Sequence, residues 1–171
     1  WYEFARAAGE PLSSASNADS LDEFKAQSRG DRMLYLHDFA RNTGETLRAV
    51  WTALEPELEW HALERFVLTL SRWKAAKSKV DYTDMILEAG RKCPPLRNVR
   101  VAIVDEAQDL TKVQWALVDK LFGEVERMYV GGDDDQAIYK WTGADVTRFL
   151  ALKGTEDVLP ISYRLPTSVW A

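Results

Sequence analysis

The chain has 171 residues, 46% hydrophobic and 29% charged, with a formal net charge of −5. That composition suits a globular chain with a sizeable core, and it argues against an evenly basic nucleic-acid coat while leaving room for a local basic groove. The single cysteine, Cys93, excludes an intramolecular disulfide and fits a reducing compartment, and no apolar run approaches the roughly 18 residues of a membrane span.

Trp1–Ala8 is helix-like and stops before Gly9 and Pro11; Pro11–Asp19 is rich in Ser and Asn and reads as a loop. Ser20 followed by Glu23 is a capping-box pattern that opens a helix over Ser20–Gln27. Asp31–Asn42 and Thr46–Leu54 are further helices. Pro56–Lys79 carries the clearest helical period, with Leu63, Phe66, Val67, Leu70 and Trp73 on one face and a basic last stretch of Arg72, Lys74, Lys77 and Lys79. That basic cluster reads first as a solvated helix end. Asp81–Ala89 starts on a capping Asp and is expected to end at Gly90 as a C′ residue. Residues 1–92 therefore read as an all-helical unit. His37 and His61 stand without Cys or acidic partners at metal-ligand spacing and read as structural. The seven tryptophans read as core fillers, Trp141 excepted.

From residue 93 the pattern changes to strands alternating with short helices. Val99–Val104 is apolar enough for a strand buried on both faces, as in a parallel sheet, and it ends abruptly on Asp105, Glu106, Gln108 and Asp109. Thr111–Phe122 is a helix with Val113, Leu117, Val118 and Leu121 on its apolar face, broken at Gly123. Arg127–Val130 is a second strand, completing a βαβ unit whose crossover should be right-handed. Gly131–Gly132 then turn into Asp133, Asp134, Asp135 and Gln136. A helical stretch, Ala144–Leu152, and a third strand, Asp157–Ile161, close the chain. Two neighbouring parallel strands thus aim acids and amides at one sheet edge, where open α/β sheets bind ligands. The three aspartates could also hold a divalent ion, as in a metal nuclease, although consecutive side chains cannot all face one ion.

VDEAQD at Val104–Asp109, GDDDQAIYKWTGA at Gly132–Ala144 and SYR at Ser162–Arg164 resemble motifs II, III and IV of the UvrD/Rep/PcrA-type superfamily 1 DNA helicases, in that order. SRWKAAKSKVDYTDMILEA resembles the helical segment that precedes motif II there. The resemblance covers about residues 62–169; residues 1–60 resemble the helical insertion called subdomain 1B only weakly. It implies an α/β fold: a partial RecA-like P-loop NTPase parallel sheet preceded by an all-helical subdomain. Residues 1–92 would be a helical subdomain made of the 1B-like insertion and the helices that follow it, and 93–171 the C-terminal part of the RecA-like motor domain 1A, ending at the start of the second motor domain. The implied activity is an ATP-dependent DNA helicase or single-stranded DNA translocase of 3′-to-5′ polarity. Its cofactors would be ATP and Mg²⁺, its partner single-stranded DNA or a junction of single and double strands, and its location the bacterial or phage-infected cytoplasm at the nucleoid.

Carried over residue by residue, Asp105 would hold Mg²⁺ and Glu106 would activate the attacking water. Gln136 would sense the γ-phosphate, Arg164 would act as an arginine finger, and Tyr163 would pack beside the nucleotide. Tyr139 and Trp141 would face single-stranded DNA; in an extended backbone residues two apart point the same way and could sandwich a base, whereas in a helical turn they would diverge and one would go to the core. The chain departs from the family at Thr142, where Arg is usual, and at Ser162, where Asn is usual. It also contains no Gly-Lys dipeptide and hence no Walker A loop to cradle phosphates. It begins at Trp1 and ends at Ala171, so it reads as an excerpt lacking an N-terminal Walker A segment and a second motor domain. The competing reading is a nucleic-acid or protein binding module with a helicase-like fold and no ATPase activity.

Overall fold

A computed structural model describes residues 2–12 and 28–159, without the side chains of residues 2, 139 and 140. The helix expected over Ser20–Gln27, and Ser162, Tyr163 and Arg164, lie outside the described residues. Among the described residues, helices come first: α1 (Tyr2–Ala8), α2 (Arg29–Thr43), α3 (Leu47–Leu54), α4 (Trp60–Lys77) and α5 (Tyr82–Lys92). The rest is mixed: β1 (Val101–Val104), α6 (Lys112–Phe122), β2 (Arg127–Val130) and α7 (Val146–Leu150), with 3-10 turns at Ala107–Asp109, Asp134–Gln136 and Tyr139–Thr142. The chain is therefore mixed α/β and mostly helical, with a two-stranded parallel sheet among the described residues.

The main core lies in the helical unit. Phe4, Met33, Leu36, Val50, Leu63, Phe66 and Leu70 are buried together, with Val67 and Trp73 packed against them. The helical period over α4 thus names its inner face correctly, and each such fully buried side chain contributes about 1.5–3 kcal/mol. Phe4 meets Phe66 edge to face at 5.1 Å between ring centroids. The helix starts at Trp60, not Pro56. Glu55 turns inward to pair with Arg32, and a turn occupies the intervening residues before α4 begins after Glu59.

Helix α5 corrects a second expectation. Gly90 lies inside the helix, which runs on to Lys92 and ends at Cys93 with φ −75° and ψ 128°. The stop is set by Pro94, whose ring disfavours helical backbone at the residue before it. At its start, Asp81 and Asp84 cap each other's backbone amides and also receive Arg41 of α2 and Lys74 of α4. Lys74 is therefore not a solvated helix end: its side chain is only 13% exposed. Burial alone would raise the Asp81 carboxyl, but hydrogen bonds from Arg41 and Lys74 outweigh it and hold Asp81 far below the usual carboxylate range. Asp84 is lowered in the same way, with Lys74 the leading favourable partner.

The sheet differs from a doubly covered one. β1 and β2 pair in parallel, Val101 with Arg127 through Val104 with Val130. Ala102 is buried, whereas Val101, Ile103 and Tyr129 are 49%, 77% and 55% exposed. Alternation puts those three on one face, and no described element covers it. Within α6 the deepest side chain is Trp115, while Val113, Leu117, Val118 and Leu121 are only half-buried. The expected third strand is absent over its described part, since residues 157–159 are irregular and exposed. The helical stretch at 144–152 shortens to α7, capped by the Asp145 carboxylate on the Arg148 amide at 3.0 Å.

Candidate functional site at the carboxyl edge of the sheet

The in-register pairing ends both strands at one level, so the loops that follow, 105–111 and 131–138, leave side by side. They are stitched together by backbone. The Gly131 amide donates to Val104 O at 2.8 Å, and the Ala107 amide donates back to Gly131 O at 3.0 Å. Asp105 and Glu106 are exposed at this edge. Asp105 Oδ1 accepts the Glu106 amide at 3.0 Å, leaving the other carboxylate oxygen to solvent or a ligand. Glu106 has φ 51° and ψ 42°, a left-handed conformation that is costly for a residue with a Cβ and that turns the chain sharply off the strand.

Gln108 organises the loop. It is 1% exposed, and both ends of its amide are used. Nε2 donates to Glu106 Oε2 at 2.8 Å, and Oε1 accepts the Asp133 amide at 3.1 Å. One neutral side chain thereby ties the Glu106 carboxylate to the start of the second acidic loop. Gly132 makes room for it: a Cβ there would lie 2.6 Å from Gln108 Oε1 and 2.9 Å from Phe149 Cζ. Sequence reading placed Gln108 among the polar residues of the loop and gave it no role; the only signal was an amide set among acids. Asp109 is pushed up, first by burial and then by the Glu106 charge, and its Oδ1 is buried without a hydrogen-bond partner among the described residues.

In the second loop Asp133 accepts the Asp135 amide at 3.1 Å and the Gln136 side-chain amide. Asp133, Asp134, Asp135 and Gln136 are all exposed. Among the described residues no group of three acids, histidines or cysteines is arranged to hold a metal ion, so the acidic run is no cage for a nuclease metal. A single exposed carboxylate such as Asp105 does suit Mg²⁺, which keeps several waters and binds through one or two carboxylates plus substrate phosphates.

The residues expected to stack on bases follow in the 3-10 turn Tyr139–Thr142. The extended backbone on which that expectation rested does not occur. With about three residues per turn, backbone positions 139 and 141 do not share a direction as they would in an extended segment. Trp141 is half-buried. The structure thus brings Asp105, Glu106 and Gln136 to one edge and sets Trp141 just beyond it; Tyr163 and Arg164 lie outside the described residues.

The family model for the UvrD/REP helicase N-terminal domain matches residues 42–157, more than half of the chain. The chain belongs to that family. As a UvrD/REP helicase domain it is similar to the ATP-dependent DNA helicase PcrA of Bacillus subtilis, 44% identical over 50 residues, which are 29% of this chain and 7% of that protein. It is similar to DNA helicase II of Escherichia coli, 39% identical over 72 residues, 39% of this chain and 10% of that protein. It is also similar to the RecBCD enzyme subunit RecB of Mycobacterium tuberculosis, 36% identical over 58 residues, 34% of this chain and 5% of that protein. The matches span a tenth or less of these relatives' lengths. Among the described residues of this helicase-family chain, no helix is long and apolar enough to cross a membrane.

Proposed function

We propose that the chain is an internal part of an ATP-dependent DNA helicase or single-stranded DNA translocase of 3′-to-5′ polarity, acting in the cytoplasm on single strands or strand junctions. Residues 93–171 would be the C-terminal part of a RecA-like motor domain 1A, ending at the start of the second motor domain, and residues 1–92 a helical subdomain made of the 1B-like insertion and the helices that follow it. The supporting observation is the shared sheet edge, where Asp105 and Glu106 end one strand, Gln136 follows the other, and Gln108 bonds to both loops.

Phosphoryl transfer needs positioning and charge neutralisation more than covalent chemistry. Asp105 is the residue that would hold Mg²⁺ through its unbonded oxygen, and the ion would neutralise phosphate charge. Glu106, with one oxygen fixed by Gln108, would take a proton from the attacking water with the other. Gln136, neutral and exposed, would contact the γ-phosphate and report its loss. Tyr163 and Arg164 would complete the nucleotide side, and Trp141 and Tyr139 would meet bases one at a time.

The test uses the full-length polypeptide. Glu106→Gln removes the base and should lower ATP turnover about 10²–10⁴-fold while ATP binding survives. Asp105→Asn should weaken Mg²⁺-dependent ATP binding as well. Wild-type turnover in both variants would refute the assignment. The 171-residue chain alone, with no Gly-Lys loop for the phosphates, should hydrolyse no ATP above background. That same lack keeps one second reading, a helicase-like binding module; a full-length protein that binds DNA but never hydrolyses ATP would favour it.

A further inference from the structure

The turn that carries Trp141 is held at its end by a residue one hundred positions earlier. Asn42, in the last turn of α2, donates from Nδ2 to Thr142 O at 3.0 Å and accepts the Thr83 hydroxyl of α5 on Oδ1 at 3.2 Å. Thr142 closes the 3-10 turn, so this bond holds the turn at its C-terminal end. Gly143 follows with φ 95°, and a Cβ there would meet Thr43 Cγ2 at 3.1 Å and Asn42 Cβ at 3.2 Å. A residue without a side chain lets the turn close directly onto α2. The neighbouring Arg41 is locked to Asp81 and Asp84, so this end of α2 is itself fixed to α5.

The far side of the turn is tied to the acidic loop. The Asp145 amide donates to Leu110 O at 2.8 Å, and Thr111 forms an antiparallel bridge with Ala144. Residues 142–145 therefore lie between the helical unit and the segment that begins at Glu106.

We propose that Asn42 is a positioning residue for single-stranded DNA binding: it fixes the Tyr139–Thr142 turn to the helical unit, so that Trp141 presents its ring at a set place. This rests on the reading of that turn as a DNA contact. The helical unit supplies the fixed point for the DNA contact.

The experiment compares the wild-type chain with Asn42→Ala, Asn42→Asp, Thr83→Val and Trp141→Ala. Two quantities are read: amide hydrogen exchange over residues 141–145, and anisotropy of a fluorescein-labelled oligothymidine. Asn42→Asp keeps the shape and the Thr83 acceptor but turns an oxygen on the Thr142 carbonyl, so it serves if the Ala variant folds poorly. Both Asn42 variants should speed exchange over 141–145 and weaken oligothymidine binding, each about 3- to 10-fold, the worth of one hydrogen bond. Thr83→Val should change both less. Unchanged exchange in the Asn42 variants overturns the positioning role. Faster exchange with unchanged affinity overturns its link to DNA. Trp141→Ala keeps the two failures apart, because full affinity in that variant refutes the DNA reading of the turn while the exchange result still stands on its own.

Discussion

Gly132→Ala is a sensitive probe of the stitched loops because its surface exposure and its local packing point in opposite directions. Gly132 is exposed and has no left-handed φ, so a methyl group there would ordinarily stabilise by about 0.4–1 kcal/mol through the unfolded chain. Its Cβ, however, would sit 2.6 Å from Gln108 Oε1 and 2.9 Å and 3.1 Å from two ring carbons of Phe149. Gln108 is buried and bonded at both ends of its amide, so it cannot yield without losing Glu106 or Asp133. Overpacking of this kind costs about 1–3 kcal/mol, and one lost hydrogen bond adds about 1 kcal/mol. A net loss of about 2–3 kcal/mol lowers Tm by about 4–12 °C in a chain of this size. Calorimetry on the 171-residue chain reads it. Gln108→Ala removes one of the two obstacles, so the double variant should lose less than the sum of the singles. A Tm that is unchanged or raised in Gly132→Ala would refute the buried Gln108 relay.

Two further outcomes follow from the same geometry. Asp81 and Asp84 titrate below their unfolded values, so their bonds to Arg41 and Lys74 stabilise fully above about pH 4 and fade as pH falls through the depressed folded values. Asp81→Asn should therefore cost about 1.5–3 kcal/mol in urea unfolding at pH 7, with the gap to wild type narrowing at pH 3; an equal gap at both would refute the ion cluster. Trp141→Ala should lose about 1–3 kcal/mol of single-stranded DNA affinity with little change in Tm. A large fall in Tm with affinity otherwise retained would make Trp141 a structural ring.

The features legible in the chain were those written over short distances. The period of Leu63, Phe66 and Leu70 assigned the inner face of α4, and the apolar run into Asp105 and Glu106 placed acids at a strand end. A capping Asp81 marked the start of α5, and the two acid-tipped strands pointed to one edge because parallel neighbours end together. Of the local inferences that the structure corrects, three show the physical reason most plainly. Gly90 has no left-handed conformation because Pro94 ends the helix. The β1 face at Val101 and Ile103 is apolar but uncovered, since composition reports what a face would bury and not what lies over it. The segment at Tyr139 folds as a 3-10 turn, a choice that spacing alone leaves open. The remaining contacts join residues far apart in sequence: Asn42 with Thr142, Arg41 and Lys74 with Asp81 and Asp84, and Gln108 with the Asp133 amide. Each depends on where two separate elements come to rest, and a periodic pattern within one element carries no information about that; only the packed chain decides it.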